Sequence, residues 1–415
     1  MTPDQEKVRW LFLDLNSYFA HAEQQARPEL RGHPVAVVPM ETDSTCVIAA
    51  SYEAKAFGIK TGTAIRAAKK LCPRLRCVLA RHDLYVRYHH RITEAIEKHV
   101  PIDKVWSIDE VACRLMGPQE EPENAIALAH AIKTQMRKDA GAWLTCSIGL
   151  APSRFLAKVA GDMRKPDGLT LLRPCDLPGP LFRLKLDDLP GINVNIERRL
   201  RRAGIGSVRD LWNAQPKHLR KLWGGVQGER LWHALHGLDV PDQETRKRMV
   251  GHSRVLDPGL RPPDKARETS RHLLAKAAQR LRRMELYAGS VSLGVRDVDG
   301  RRWGAEIRIP TACDTPAFLA AHDVLWTAMT GELSPGRLLK DSVTLHRLQD
   351  DPRAQPDLFA APPECSSPSP YPASRAAEAS RNRLCEALDT LNRKYGQNTA
   401  YFGVVPKTAA GYVGT

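Results

Sequence analysis

The sequence predicts an α+β protein in which two mixed units flank a helical segment. Over residues 8–150, short apolar segments typical of strands alternate with segments typical of helices. Residues 173–240 have a helical pattern interrupted by short turns that contain glycine. Residues 249–348 follow the order β-α-β-β-α-β of a small ferredoxin-like unit. A chain of 415 residues is long enough to form more than one hydrophobic core.

The first predicted strand, residues 8–15, is an apolar run that contains Asp14 near its end. Further strands are predicted at 35–38, 46–50 and 144–150, a strand pair at 105–114, and helices at 64–71, 85–99 and 124–140. This order favours a sheet with its helices on one face, arranged around one acidic centre.

The second half of the chain contains a polar linker and then the second mixed unit. The linker is predicted at 241–248, helices at 264–285 and 316–330, and strands at 290–297, 301–309 and 342–348. Residues 350–377 are rich in Pro, Ser, Ala and Asp, which is typical of disordered chain. A last helix is predicted at 376–395 and a possible strand at 399–404.

The composition indicates a polyanionic partner and excludes several classes of protein. Lys and Arg number 62 against 47 Asp and Glu, a net charge of +15. The sequence contains no apolar run of about 18 residues, so we expect no transmembrane helix. The first residues lack the apolar core of a signal peptide, and the nine cysteines are scattered without a CxxC pair. We therefore expect a cytoplasmic protein without disulfides or structural zinc.

Three carboxylates are candidates for a two-metal centre. Phosphoryl transfer from a nucleoside triphosphate uses two divalent cations, which prefer carboxylate and carbonyl oxygens. The candidates are Asp14, at the end of the first strand, and the neighbouring Asp109 and Glu110. Alternatives remain open at this point, because Asp14 could cap the next helix and the Asp109–Glu110 pair could belong to a polar hairpin.

Four segments together resemble the Y family of DNA polymerases, the translesion enzymes. They are residues 12–20 (FLDLNSYFA), 51–58 (SYEAKAFG), 107–110 (SIDE), and 147–150 (SIGL) followed by Ala157-Lys158 and 165–168 (KPDG). They follow the family's order with family-like spacing, and the resemblance covers about residues 1–350. Within the family, the chain is most similar to the bacterial polymerase IV branch. Residues 389–396 resemble the tail of the polymerase V catalytic subunit instead.

The resemblance implies a right-hand polymerase and its reaction. The implied domains are a ferredoxin-like palm (1–17 and 82–172), small fingers (18–81), a helical thumb (173–240), a linker (241–249), an α/β little finger (250–349) and a mostly disordered tail (350–415). The implied activity is template-directed, low-fidelity translesion synthesis, in which the primer 3′-hydroxyl attacks the α-phosphate of a deoxynucleotide. The implied substrates are primer-template DNA and deoxynucleoside triphosphates.

The resemblance also assigns roles to residues around the acidic centre. It implies that Asp14, Asp109 and Glu110 are catalytic and, with the backbone carbonyl of Leu15, hold two Mg²⁺ ions. The nucleotide-binding residues that it implies are Tyr18, Phe19, Tyr52, Lys55 and Lys165. Phe19 would stack under the deoxyribose and exclude a 2′-hydroxyl, although an isolated aromatic of this kind could equally belong to the core. Lys55 stands where the family often has Arg, and Lys lacks the bidentate fork of Arg.

Two turns between residues 189 and 207 suggest contacts to DNA. Residues 189–193 (LPGIN), followed by a helical segment, resemble a helix-hairpin-helix, whose turns direct backbone N–H groups at a phosphate. The predicted contacts are Gly191, Ile192 and Asn193 in the first turn, and Gly204 and Gly206 in the second. Asn193 stands where glycine is usual and should tolerate a left-handed backbone. An ordinary helix-turn-helix corner is the alternative.

A short apolar motif in the tail suggests a protein partner. Residues 355–359 (QPDLF) resemble the peptide by which bacterial polymerases bind the sliding clamp. Gln355, Leu358 and Phe359 would enter subsites on the clamp. We expect a monomer that works at the nucleoid.

The sequence leaves two alternative functions to consider, a silent scaffold and a nucleotide cyclase. A catalytically silent scaffold for clamp and DNA would lack its carboxylates, whereas Asp14, Asp109 and Glu110 are all present. A nucleotide cyclase with a palm-like sheet would have no need of the thumb turns or of the QPDLF motif. The three carboxylates, the thumb turns and the QPDLF motif therefore favour the polymerase.

Overall fold

The computed structural model describes residues 6–43, 45–243, 246–350, 375–396 and 399–403. It contains a first unit, residues 1–242, and a second unit, residues 243–415. No helix among these described residues is long and apolar enough to cross a membrane.

The first unit contains two sheets. Its strands are β1 (Trp10–Leu15), β2 (Val35–Val38), β3 (Ala49–Ala50), β4 (Arg76–Leu79), β5 (Lys104–Val105), β6 (Glu110–Arg114), β7 (Cys146–Ala151) and β8 (Leu169–Leu171). The larger sheet has the order β5-β6-β1-β7-β8, and the smaller one has the order β3-β2-β4. In the larger sheet, β1 pairs antiparallel with both β6 and β7, so the strand that carries Asp14 lies at the centre.

The first unit has helices on both faces of the larger sheet and others that pack with the smaller sheet. They are α1 (Tyr18–Ala26), α2 (Tyr52–Lys55), α3 (Ile65–Leu71), α4 (His82–Glu97), α5 (Pro122–Asp139), α6 (Arg154–Met163), α7 (Val194–Arg202), α8 (Val208–Asn213), α9 (Pro216–Trp223) and α10 (Gln227–Leu235). Leu11 and Leu13 of β1 pack in one core with residues of α4 and α5. Trp10 and Phe12 face the opposite side and pack with α6 and α7. The expectation of helices on one face only is therefore wrong.

The second unit has the predicted β-α-β-β-α-β order, followed by one more helix. Its elements are β9 (Met249–Val255), α11 (Pro263–Arg283), β10 (Tyr287–Asp297), β11 (Arg302–Ala312), α12 (Thr315–Leu333), β12 (Leu338–Gln349) and α13 (Arg375–Tyr395). The sheet order is β11-β10-β12-β9, and every neighbouring pair is antiparallel. Because β9 and β10 both run antiparallel to β12, they run parallel to each other with β12 between them, which is the split βαβ arrangement.

The last helix is packed onto the second unit by ion pairs and a buried cysteine. Arg282 on α11 pairs with both carboxylate oxygens of Asp389, at 2.8 and 3.1 Å, and Arg381 pairs with the buried Asp314 at 2.9 Å. Cys385 is fully buried against the start of α12. The predicted helix at 376–395 is thus confirmed, although the sequence contained no sign of this docking.

Some predicted elements differ from the structure. The strand predicted at 46–50 is reduced to Ala49–Ala50, with an isolated bridge between Cys46 and Ala64. Residues 399–403 form bends rather than the predicted strand, and residue 404 lies outside the described residues. The sequence analysis did not predict strand β4. Its residues Arg76 and Cys77 are exposed, so the segment lacks the apolar pattern of a strand, and its pairing with β2 is seen only in the structure.

Candidate active site

The carboxylates of the acidic centre meet at the paired ends of β1 and β6. Asp14 lies directly opposite Glu110 in the register of these strands. The backbone N–H of Leu15 donates to the carbonyl of Asp109 at 2.8 Å, which extends the pairing by one residue. The backbone pairing therefore brings Asp14, Asp109 and Glu110 to one edge of the sheet from two segments almost a hundred positions apart. The alternative role for Asp14, a helix cap, is wrong, because Ser17 occupies the cap position of α1.

Two lysines neutralise two of these carboxylates. Lys165 Nζ lies 2.7 Å from Asp14 Oδ1, and Lys158 Nζ lies 2.7 Å from Glu110 Oε1. Burial raises the pKa of Asp14 to about 6, although the charge of Lys165 opposes the shift. Within the described ranges, His, Cys, Asp and Glu side chains are nowhere grouped in threes as a metal site. In this arrangement, the ammonium groups of Lys165 and Lys158 balance the negative charges of Asp14 and Glu110.

A cavity of about 270 Å³ opens beside the acidic centre. It is lined by Asp14, Leu15, Asn16, Ser17, Tyr18, Phe19, Ile48, Ala49, Ala50, Tyr52, Lys55, Thr61, Asp109 and Lys165. These include all five residues that the sequence suggested for nucleotide binding. They come from three separate parts of the first unit, so the fold assembles them into one concave surface. Glu110 does not line this cavity.

Phe19 and Tyr18 are held by Tyr85 of α4. The rings of Phe19 and Tyr85 are stacked, with centroids 4.4 Å apart and an angle of 12° between the planes. The hydroxyl of Tyr18 donates to the backbone carbonyl of Tyr85 at 2.5 Å. Tyr85 is fully buried and its hydroxyl donates to Glu23 at 2.8 Å, so the support under Phe19 is rigid. Phe19 is partly exposed and lines the cavity, whereas Tyr18 is buried.

Tyr52 and Lys55 contribute a second wall, on the short helix α2. Lys55 Nζ lies 4.5 Å from the centroid of the Tyr52 ring, a cation–π contact. Ser51 caps this helix and accepts a hydrogen bond from the N–H of Ala54. Burial lowers the pKa of Lys55, and the nearby charge of Lys165 lowers it further. The cavity thus contains two ammonium groups, of which that of Lys165 is paired with Asp14 and Asp162.

The loop that carries Lys165 is fixed by buried residues that sequence reasoning missed. Asn16 is almost completely buried; its amide donates to Ser147 at 3.0 Å and accepts from the N–H of Asp167 at 2.8 Å. Lys133 donates to the carbonyls of Asp167 and Gly168 at 2.6 and 2.9 Å. Lys158 was noted only as part of a motif. Asn16 could have been predicted as a buried polar residue, because it follows the end of an apolar strand. The sequence around Lys133 contains no such indication.

The two turns suggested for DNA contact have the backbone of tight turns. Gly191 and Gly204 have φ values of +89° and +82°, which favour glycine. Asn193, in contrast, has an extended backbone and caps α7 by accepting from the N–H groups of Asn195 and Ile196, each at 3.0 Å. The expectation of a left-handed backbone at Asn193 is therefore wrong. The proposed clamp residues Gln355, Leu358 and Phe359 lie outside the described residues.

Three family descriptions match the chain in succession. The impB/mucB/samB family matches residues 13–162, and its C-terminal domain matches residues 247–358. The thumb domain of DNA polymerase-iota matches residues 187–239. Together they cover both units.

Curated relatives match over almost the whole length. The chain is 32% identical over 408 residues to DNA polymerase IV of Moorella thermoacetica and covers 95% of each protein. It is 33% identical over 402 residues to DNA polymerase IV of Pelotomaculum thermopropionicum, covering 94% of this chain and 93% of that one. The chain belongs to the Y family of DNA polymerases. This polymerase is therefore a DNA-directed DNA polymerase of translesion synthesis, and the scaffold and cyclase alternatives are not favoured.

Solved structures agree with this fold. A chimera of the Y-family polymerases Dbh and Dpo4 has a TM-score of 0.69 at 23% identity, covering 83% of this polymerase and 100% of that chain. An insertion ternary complex of Dbh DNA polymerase has a TM-score of 0.54 at 25% identity, covering 81% of this polymerase and 98% of that chain.

Proposed function

We propose that the cavity beside Asp14 binds the incoming deoxynucleoside triphosphate and that Asp14, Asp109 and Glu110 form the catalytic centre. The observation that carries the proposal is the convergence of Asp14 and Asp109 with Tyr18, Phe19, Tyr52, Lys55 and Lys165 around one cavity. Lys55 and Lys165 would neutralise charge on the triphosphate, including the charge that develops on the leaving pyrophosphate.

The donor set fits two Mg²⁺ ions. All three side chains are carboxylates where β1 and β6 pair at the edge of the sheet, and Leu15 follows Asp14 directly. Hard oxygen donors of this kind are those that Mg²⁺ prefers. The lysine contacts to Asp14 and Glu110 indicate that these carboxylates need cationic partners. When bound, the ions would lower the pKa of the primer hydroxyl and stabilise the charge of the triphosphate.

We also propose the family's division into palm, fingers, thumb and little finger, with the boundaries that the sequence suggested. The DNA contacts that we propose for the thumb are Gly191, Ile192, Asn193, Gly204 and Gly206. Among them, the N–H groups of Ile192, Gly204 and Gly206 already donate within the turns, to Leu189, Arg201 and Asp210. The side chain of Asn193 already occupies two N–H groups of α7, so its contribution to DNA would be through the backbone. The net charge of +15 supports sequence-independent, salt-sensitive binding at the nucleoid. We also propose that the polymerase works as a monomer.

Primer extension with the purified full-length chain tests the proposed centre. A labelled primer on undamaged and lesion-containing templates should be extended when deoxynucleotides and Mg²⁺ are supplied. Absence of extension on every template, with folded protein and bound DNA, would contradict it.

Phe19→Ala should admit ribonucleotides. Removing the ring that stacks on Tyr85 opens space on the cavity wall where a 2′-hydroxyl would lie. We expect the ratio of kcat/KM for dNTP over rNTP to fall by about 10- to 100-fold, the range for a lost steric contact in a pocket. Phe19→Tyr keeps the ring and is the matched control, with selectivity retained. An unchanged ratio in Phe19→Ala would assign the ring to the core alone.

Replacing Gln355, Leu358 and Phe359 together by Ala should abolish binding to the bacterial sliding clamp, which we propose as the partner. The apolar pair Leu358 and Phe359 would bury most of the contact area, at about 1.5–3 kcal/mol each. Extension on short primers without the clamp should stay unchanged, because Asp14, Asp109 and Glu110 are intact. A titration in which the triple variant still binds the clamp with wild-type affinity would exclude this peptide as the contact.

A further inference from the structure

The last residues of the first unit, residues 238–242, fold back over a second cavity and are called the strap below. This cavity has a volume of about 600 Å³ and lies apart from the proposed nucleotide site. Its lining includes Trp106, Arg154 and Lys158 on the side of the larger sheet, and Gly191 and Trp223 on the side of the helical segment. Leu238, Asp239 and Asp242 of the strap line the same cavity.

The strap is held by charged groups on both sides. Lys104 Nζ lies 2.7 Å from Asp242 Oδ2, and Arg154 donates to the other carboxylate oxygen of Asp242. Arg230 of α10 donates to the backbone carbonyl of Pro241. Asp242 therefore has two cationic partners, which outweigh the effect of burial and lower the pKa of its carboxyl.

Both cations also lie against one indole ring. Lys104 Nζ is 4.1 Å and Arg154 Cζ is 4.5 Å from the centroid of the Trp106 ring, which is 42% exposed. The Trp106 ring is thus exposed to solvent and flanked by two cations, each in a cation–π contact with it. This is the combination with which proteins hold nucleic acid, where cations contact a phosphate and an aromatic face receives a base or sugar.

This cluster lies next to the proposed catalytic centre. Arg154 and Lys158 are four residues apart on α6, about 6 Å along its axis, and Lys158 contacts Glu110. The backbone N–H of Trp106 also donates to the backbone carbonyl of Glu110 at 2.9 Å. Phosphates along one strand of duplex DNA repeat every ~3.4 Å of the axis. A strand whose 3′ end reaches Glu110 would therefore place one of its terminal phosphates near Arg154 and Lys104.

We propose that Lys104, Trp106 and Arg154 form a binding site for a backbone phosphate of the primer strand, and that Asp242 occupies it when DNA is absent. The proposal rests on the proposed catalytic centre at Glu110. A carboxylate and a phosphate are both oxyanions that accept from Lys and Arg, so the two exclude each other at this site. DNA must displace the strap in order to bind, and the strap thereby weakens the affinity of the polymerase for DNA.

Asp242→Asn in the full-length chain tests the proposal. The measurement is the Kd for a fluorescent primer-template, determined by anisotropy without nucleotide. We expect this Kd to fall by about fivefold or more, since fivefold is the lower end of the typical coupling between two binding events. Asp239→Asn is the matched control, since it removes the same charge from the same strap, and its cation, Arg114, lies at 4.0 Å. That control should change the Kd far less, and the Tm of both variants should match that of the wild type.

A double-mutant cycle locates the effect. In Lys104→Ala/Arg154→Ala, DNA binding should weaken, its salt dependence should decrease by the slope of about one phosphate contact, and Asp242→Asn should have no further effect. An unchanged Kd for Asp242→Asn in an enzyme that extends primers normally would overturn the strap proposal alone. A gain in affinity that persists without Lys104 and Arg154 would also overturn it. Failure of the wild type to extend primers would instead count against the proposed catalytic centre.

Discussion

Asp109→Asn should lower the rate of primer extension by more than about 100-fold, because losing even an outer-shell partner of a metal typically costs 10–100-fold. The amide keeps the size of the side chain and can still accept the 2.5 Å hydrogen bond from Ser107. It removes one negative charge at the strand end where Asp14 and Glu110 lie opposite each other. The expected loss therefore lies in the chemical step rather than in folding, and single-turnover extension measures it.

Asp162→Asn is the matched control for this loss. Asp162 pairs with Lys165 at 2.7 Å, as Asp14 does, but it lies on α6 and is partly exposed. Its removal should change the extension rate by less than about fivefold, the effect of an exposed ion pair worth 0–1 kcal/mol. DNA affinity should be unaffected in both variants. Wild-type extension by Asp109→Asn would remove this residue from the catalytic centre.

Gly149→Ala should destabilise the first unit by about 3 kcal/mol or more, the upper range for overpacking a core. Gly149 lies on β7 opposite Phe12 of β1, where α6 crosses the sheet. A methyl group there would lie 1.9 Å from the backbone oxygen of Ala157 and 2.4 Å from the backbone nitrogen of Gly161. Backbone atoms cannot rotate away, so the helix that carries Lys158 would have to move.

Gly161→Ala is the control on the opposite side of this contact. Its added methyl group would lie 3.4 Å from the backbone nitrogen of Gly149 and farther from other atoms outside its own helix, which is ordinary van der Waals contact. Alanine in a helix is favoured over glycine by up to ~1 kcal/mol, so this variant should be neutral or slightly stabilised. Thermal unfolding should separate the two, with a Tm about 6–12 °C lower for Gly149→Ala in a unit of 150–250 residues. Equal Tm values would show that α6 can shift without cost.

The candidate site was predictable to the extent that its chemistry is local in sequence. Asp14, Asp109 and Glu110 could be proposed because they lie in or beside apolar strands, and because their flanking segments resemble the family's motifs. The five nucleotide-binding candidates likewise belong to those segments. The partners that fix them were not predictable, because a lysine such as Lys133 or Lys158 has the same sequence signature whether it is solvated or buried.

Asn193 shows where local reasoning failed. It stands where glycine is usual in the motif, which suggested a left-handed backbone, but Gly191 takes the positive φ of the turn and leaves Asn193 free to cap α7. The side chain of asparagine suits both roles, and only the position of the helix start decides between them. The docking of α13 was equally hidden, because it depends on the pairing of Arg282 with Asp389, 107 residues away.

The sequence by itself determined the order of the elements in the second unit, the three carboxylates and the family. These follow from apolar periodicity and short motifs, which are encoded within a few residues of one another. Only the tertiary structure decided that Asp14 faces Lys165, 151 residues away, that one cavity collects the nucleotide candidates, and that Asp242 lies between Lys104 and Arg154. Such contacts depend on how sheets and helices pack. The sequence around a charged side chain does not indicate which distant residue will become its partner.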